Sequence, residues 1–329
     1  MDKNDETSES VPERSGHWLD TLGVAALAAL SAGVFVLSVA AIVLVNQVGS
    51  ALTGDAVVAN ADATHEIAFE PPAPSITVLP PRVDLPAWLA NAQPFEAPPR
   101  MPVMAVVVLD DGTNASLIVE ALKWTAPLSF AVAADFDASP HRVQQIRQAG
   151  REVLALVPFG YAPDFGRDPN VLRRGLSEAE LLRRLRWHLA RAGDGIVGVV
   201  DHHAGEIVQD EHALRIIGNG LVSDGMALID SRSAPDTLFA ARLRPMGVPV
   251  GRGTTRIGRD DSIGDALAAL IDAERQAFAW GTAIVVVEAS DTAMLALTEW
   301  LGTRRTSITL APVSHVIRRL RAGLQQGVN

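Results

Sequence analysis

Four short clusters carry residue types that can do chemistry. Asp110 and Asp111 stand side by side before Gly112. Asp201, His202 and His203 run in succession, with Glu206 close behind. Asp230, Ser231 and Arg232 form a third group, and Glu288 ends an apolar run. Carboxylates act as general bases and, with imidazoles, as ligands for divalent metals. Each cluster also has a plainer reading. Asp110 can cap a following helix, and Asp111 can turn the chain with Gly112. Adjacent side chains diverge, so at most one or two of Asp201, His202 and His203 can reach one ion. His203 then reads as a solvent-exposed residue. Arg232 beside Asp230 reads equally well as an ion pair at the surface. Glu288 is harder to assign to packing, because an unpaired buried carboxylate is costly. It needs a partner: Arg232, Arg252 or a metal.

The elements that must position these groups are apolar strands alternating with amphipathic helices. Residues 103–111 read VMAVVVLDD, a β-branched run of the kind buried on both faces of a parallel sheet. Further strands are expected at 128–133, 152–157, 196–200, 227–229, 248–250, 282–287 and 307–310. Helices are expected at 114–123, 140–149, 177–192, 210–223, 263–280, 292–301 and 313–322. The clearest is 177–192, where Ser177 and Glu180 form a capping-box pattern and Leu181, Leu182, Leu185 and Leu189 make a stripe. His141 and His188 fall on helices and are expected at the surface. About eight strand-plus-helix units over roughly 225 residues match a distorted (β/α) barrel of seven to eight strands. A doubly wound open sheet is the alternative. In a barrel, every cluster named above follows a strand and lines one mouth. Gly251-Arg252-Gly253 lacks the spacing of a phosphate loop, and no G-x-S-x-G elbow occurs.

The chain is 329 residues long, 48% hydrophobic, and carries a formal net charge of -10. Acidic balance argues against a nucleic-acid partner. With no cysteine, disulfides and thiolate metal sites are excluded. Residues 1–17 are polar and read as a cytoplasmic tail. From Leu22 to Val45 no charge occurs, and 24 helical residues would span roughly 36 Å, enough for a hydrocarbon core. The run is longer than a cleaved signal's apolar region and follows an acidic start. We therefore expect an uncleaved single-pass anchor over 18–45. Lys3 and Arg14 precede it and no Lys or Arg follows before Arg82, which puts the N-terminus inside and the remainder in the periplasm. Residues 46–100 are rich in Pro and Ala and read as a semi-extended stalk with one short ordered patch at 76–79. The globular domain is expected over 101–329.

Five stretches, in order, resemble the divergent polysaccharide deacetylases, relatives of the NodB-type carbohydrate esterases. They are VVVLDDG (106–112), EVLALVPF (152–159), GVVDHHAG (198–205), LIDSRSAP (228–235) and AIVVVEAS (283–290). The resemblance spans residues 101–320. It implies a distorted (β/α) barrel in the cell envelope, acting on an acetylated glycan such as peptidoglycan. It also implies a divalent metal, usually zinc, that lowers the pKa of its bound water. By the same resemblance Asp110 is the base, Asp111 and His202 are metal ligands, and Asp230 and Arg232 belong to the substrate-binding motif. Two motif histidines of the family correspond here to Leu156 and Glu288. That leaves Asp111, His202 and Glu288 as zinc donors, with Glu288 as a general acid if burial raises its pKa. Two functions follow: a membrane-anchored, metal-assisted carbohydrate deacetylase, or a catalytically inactive barrel that binds glycan or serves as an envelope scaffold. No protein partner is indicated.

Overall fold

The computed structural model describes residues 85–98, 100–160, 169–304 and 308–326. The expected tail, the anchor over 18–45 and the patch at 76–79 lie outside the described residues. Among the described residues no helix is long and apolar enough to cross a membrane.

Strand β1 (Val103–Asp110) is buried along its whole length, as its composition requires. There follow α2 (Ala115–Ala121), β2 (Ser129–Ala133), α3 (Ser139–Gln148), β3 (Glu152–Pro158), α4 (Glu178–Ala192) and β4 (Gly198–His202). Then come α5 (Glu211–Ser223), β5 (Ala227–Asp230), α6 (Phe239–Leu243), β6 (Val250–Arg252) and β7 (Thr255–Ile257). The chain ends with α7 (Ile263–Trp280), β8 (Thr282–Glu288), α8 (Asp291–Thr303), β9 (Thr309–Leu310) and α9 (Val313–Gln326). A short helix, α1 (Ala87–Ala90), precedes them all. Local signals fix the helix starts. The Ser177 hydroxyl accepts from the Glu180 amide at 3.3 Å, and Ser262 accepts from Asp265 at 3.1 Å. Gly281, at φ +80°, ends α7 in the left-handed conformation that glycine adopts freely.

All pairings are parallel, in the order β6-β5-β4-β3-β2-β1-β8-β7, with β9 also on β1. This curled sheet is the distorted barrel the sequence predicts, with one difference. In place of the weak strand expected at 248–250 there are two three-residue strands, 250–252 and 255–257. β6 bonds to β5, β7 bonds to β8, and only Gly253 and Thr254 separate them. The Gly253 amide donates to the Asp230 carbonyl (2.8 Å) and Thr254 to that of Ile284 (2.6 Å). One segment therefore bridges both edges of the sheet.

Alternation along the strands sorts two cores. Met104, Val106 and Val108 face outward to the helices, while Val103, Ala105, Val107 and Leu109 face inward. The inner core is sealed at the N-terminal ends of the strands by Val313, Val316 and Ile317 of α9 and by Trp88 of α1. The base also has a polar clamp. Glu152, 1% exposed, accepts from the Gln93 and Ser314 amides, both at 3.0 Å, and from the Ser314 hydroxyl. Burial raises its pKa, partly offset by those hydrogen bonds.

Two expectations change here. The last part of the proposed stalk, 85–98, packs on the domain. The Trp88 amide donates to Gly225, and the Asn91 side chain to the Ile196 carbonyl at 2.8 Å. The prolines flank a single helical turn rather than denying one, because Pro86 precedes it. His188 is not at the surface. It is 1% exposed, with Nε2 3.1 Å from the Asn170 carbonyl.

Candidate functional site

Period-two alternation divides the clustered acids between the two faces of the barrel. Leu109 points inward, so Asp110 points outward and Asp111 inward. Ile229 points inward, so Asp230 points outward. Val200 points inward, so Asp201 points outward and His202 inward. The expectation that all of them line one mouth therefore fails for Asp110, Asp201 and Asp230.

Asp110 lies in the strand–helix layer, 1% exposed, with Arg142 Nε of α3 at 3.5 Å and the Gly112 amide at 3.1 Å. Burial raises its pKa, and Arg142 opposes the shift. A base must reach its proton, and this carboxyl faces α3 rather than the mouth. Asp230, also 1% exposed, accepts from Thr237 and from the Arg232 amide (3.0 Å), with Arg252 Nε at 3.7 Å. It braces the loop after β5. Asp201 is a third brace. It accepts from the amide and hydroxyl of Ser231 and from the hydroxyl of Ser233. Burial, opposed by those bonds, pushes its pKa up to about 6.

The inward ring is different. Asp111, His202, Ser231, Arg256 and Glu288 gather at the C-terminal ends of the strands, with Arg259 beside them. Arg256 sits opposite inward-facing Val286 in the β7–β8 register, and so projects into the barrel. It forms an ion pair with Glu288 and donates to Ser231 Oγ at 2.8 Å; both ion-pair partners are under one-fifth exposed. Arg259 forms an ion pair with Asp111 and donates to Thr113 Oγ1 at 3.2 Å. Thr113 in turn donates to Asp111 from its amide (3.0 Å) and hydroxyl (2.6 Å). His202 is 5% exposed, its ring 4.0 Å from that of His203. Burial first, then the charges of His203, Arg256 and Arg259, lowers its pKa to about 2, so the imidazole is neutral.

Neither Arg256 nor Arg259 was named from sequence. The expected partner of Glu288 is Arg232, Arg252 or a metal; those two arginines instead donate to the carbonyls of Thr254 (3.0 Å) and Pro235 (3.4 Å). The available signal was parity: Arg256 is one residue before the outward Ile257. Two non-glycine residues with positive φ, His203 (51°) and Arg232 (61°), follow β4 and β5 within two residues. Such backbone strain clusters at ligand clamps and active sites.

The family model for divergent polysaccharide deacetylases matches residues 106–317. The chain belongs to that family. A protein of Agrobacterium tumefaciens C58, ATU2773, has the same fold at 23% identity, with a TM-score of 0.63, covering 70% of this chain and 94% of that one. Weaker likenesses include the T48 deacetylase solved with substrate (TM-score 0.43, 14% identity, 66% and 92% covered). Another is the catalytic domain of a peptidoglycan N-acetylglucosamine deacetylase from Eubacterium rectale (TM-score 0.42, 11% identity, 68% and 95% covered). No curated protein matches the sequence.

Members of this deacetylase family are commonly metal-dependent, so the donor set has to be tested against a divalent ion. Asp111 and Glu288 are each held by a guanidinium, and His202 lies within electrostatic reach of both. A cation placed between the three donors would face two arginines. The inner ring is already balanced, since two guanidiniums bring the same charge as one divalent ion. Leu156, at the third-strand motif, is an apolar core residue, 1% exposed. Among the described residues no group of three or more His, Asp or Glu side chains is arranged to hold a metal. The arginine pairs leave no fit for the ion.

Proposed function

We propose that this deacetylase-family barrel binds an envelope glycan at its mouth without metal-assisted hydrolysis. One observation carries the reading: Arg256 and Arg259 take up the two carboxylates a divalent ion would need. Without a Lewis acid, and with Asp110 turned toward Arg142, an acetyl group meets no activated water. What the mouth offers is hydrogen bonding. Neutral His202 and the exposed Arg232 supply polar groups on a strained, preset backbone. Arg232 has no carboxylate within ion-pair distance among the described residues, which suits it to an acidic or acetamido group of a sugar.

The setting we propose is the periplasm, on a single-pass anchor over residues 22–45 with the N-terminus in the cytoplasm. The uncharged run and the two cations before it support this reading.

The test uses full-length protein, N-acetylglucosamine oligomers and soluble peptidoglycan fragments. The expected result is binding that chelator leaves unchanged, no acetate release, and about tenfold weaker binding for Arg232→Ala. Acetate release that a chelator abolishes would instead establish metal-assisted deacetylation.

A further inference from the structure

The end of the barrel opposite the mouth has its own chemistry. Helix α9 carries Arg318, Arg319 and Arg321 and no acid from 313 to 326, in a chain of net charge -10. Two grooves flank its last turns. One, about 560 Å³, is lined by Arg100, Trp280, Arg319 and Leu324 among others. The second, about 600 Å³, includes Arg244, Val248, Arg321 and again Leu324. Neither groove is lined by a single Asp or Glu. Trp280 is 80% exposed at the rim and Leu324 50%.

The arginines here are held by neutral partners. Arg319 donates to the Met101 carbonyl, Arg244 to that of Val250 at 3.1 Å, and Arg321 lies 5.7 Å over the Trp88 ring. None of Arg100, Arg244, Arg318, Arg319 and Arg321 has a carboxylate within 4 Å among the described residues. Their charge therefore remains available, unlike that of Arg256 and Arg259 at the mouth. Fixed cations beside an exposed tryptophan and leucine match a surface that meets lipid headgroups. Guanidiniums pair with phosphates, and indole and leucine side chains favour the interfacial layer.

We propose that this end of the barrel docks on an anionic phospholipid surface. The proposal rests on the membrane-anchor reading, and chain continuity favours it. The first described residues after that run, 85–90, pack at this same end, where the Trp88 amide donates to the Gly225 carbonyl. Docking sets the mouth away from the bilayer, since β1 alone spans about 26 Å.

The absence of cysteine allows single-site labelling. Leu324→Cys and Asp236→Cys, both at exposed positions, are made in the full chain and labelled with a small fluorophore. The protein is placed in nanodiscs of phosphatidylglycerol or phosphatidylcholine carrying a headgroup nitroxide quencher. Docking predicts several-fold quenching at 324 in phosphatidylglycerol, little in phosphatidylcholine, and none at 236, near the mouth. Arg318→Glu combined with Arg321→Glu should abolish quenching at 324 while the protein stays on the disc. Retention on the disc through high salt, with 324 quenched no more than 236, keeps the anchor and overturns docking. Quenching at 324 that high salt removes together with the protein overturns the anchor and keeps docking. Protein that never associates with either disc overturns both.

Discussion

Replacing Arg256 by methionine is expected to destabilise the domain by about 3 kcal/mol, because it breaks a largely buried ion pair at one end. The Tm should fall by roughly 6–12 °C for a domain of this size. Among the described residues no other cation is within ion-pair distance of Glu288, and Arg256 also donates to Ser231 Oγ. Removing it strands a carboxylate that is under one-fifth exposed. The double variant Arg256→Met with Glu288→Leu should recover most of the loss, since removing both charges leaves neither unpaired. Thermal unfolding of the two variants decides it. If Arg256→Met unfolds with the wild type, the pair is a weak rim contact and the balanced inner ring is wrong.

The second large effect is at the opposite end. Glu152→Ala should cost about 3–4 kcal/mol, because two amide N–H groups, those of Gln93 and Ser314, lose their shared acceptor. The loss should also be local. Hydrogen exchange should accelerate in 85–98 and at the start of α9 before it does in β1, whose bonds run to β2 and β8. Glu152→Gln keeps one acceptor oxygen but turns an NH2 group toward the other amide, and should cost about 2 kcal/mol. Uniform acceleration across all strands in Glu152→Ala would mean that the clamp does not hold the base together.

Much of this architecture is legible in the residues themselves. The runs 103–109 and 282–287 are so apolar and β-branched that only a strand buried on both faces accommodates them. Helix α4 declares its start through Ser177, and α7 its end through Gly281. The pair of short strands β6 and β7 was not legible. They are three residues each, with Arg252 and Arg256 inside them, and a strand that short presents no period. The helix at 87–90 was hidden by neighbouring prolines, although Pro86 stands where a helix tolerates proline best. At the site, the strand ends were right and the faces were not. Counting parity from Leu109, Val200 and Ile229 would have separated Asp111 and His202 from Asp110, Asp201 and Asp230. The pairing of Arg256 with Glu288 and Arg259 with Asp111 joins residues 32 and 148 apart in sequence, which no local pattern reveals.

A zinc titration of the purified full-length chain, followed by calorimetry, bears most directly on the balanced inner ring. Arginines that already neutralise Asp111 and Glu288 predict no saturable site at micromolar zinc. One saturating site that disappears in both Asp111→Asn and His202→Ala would contradict the account.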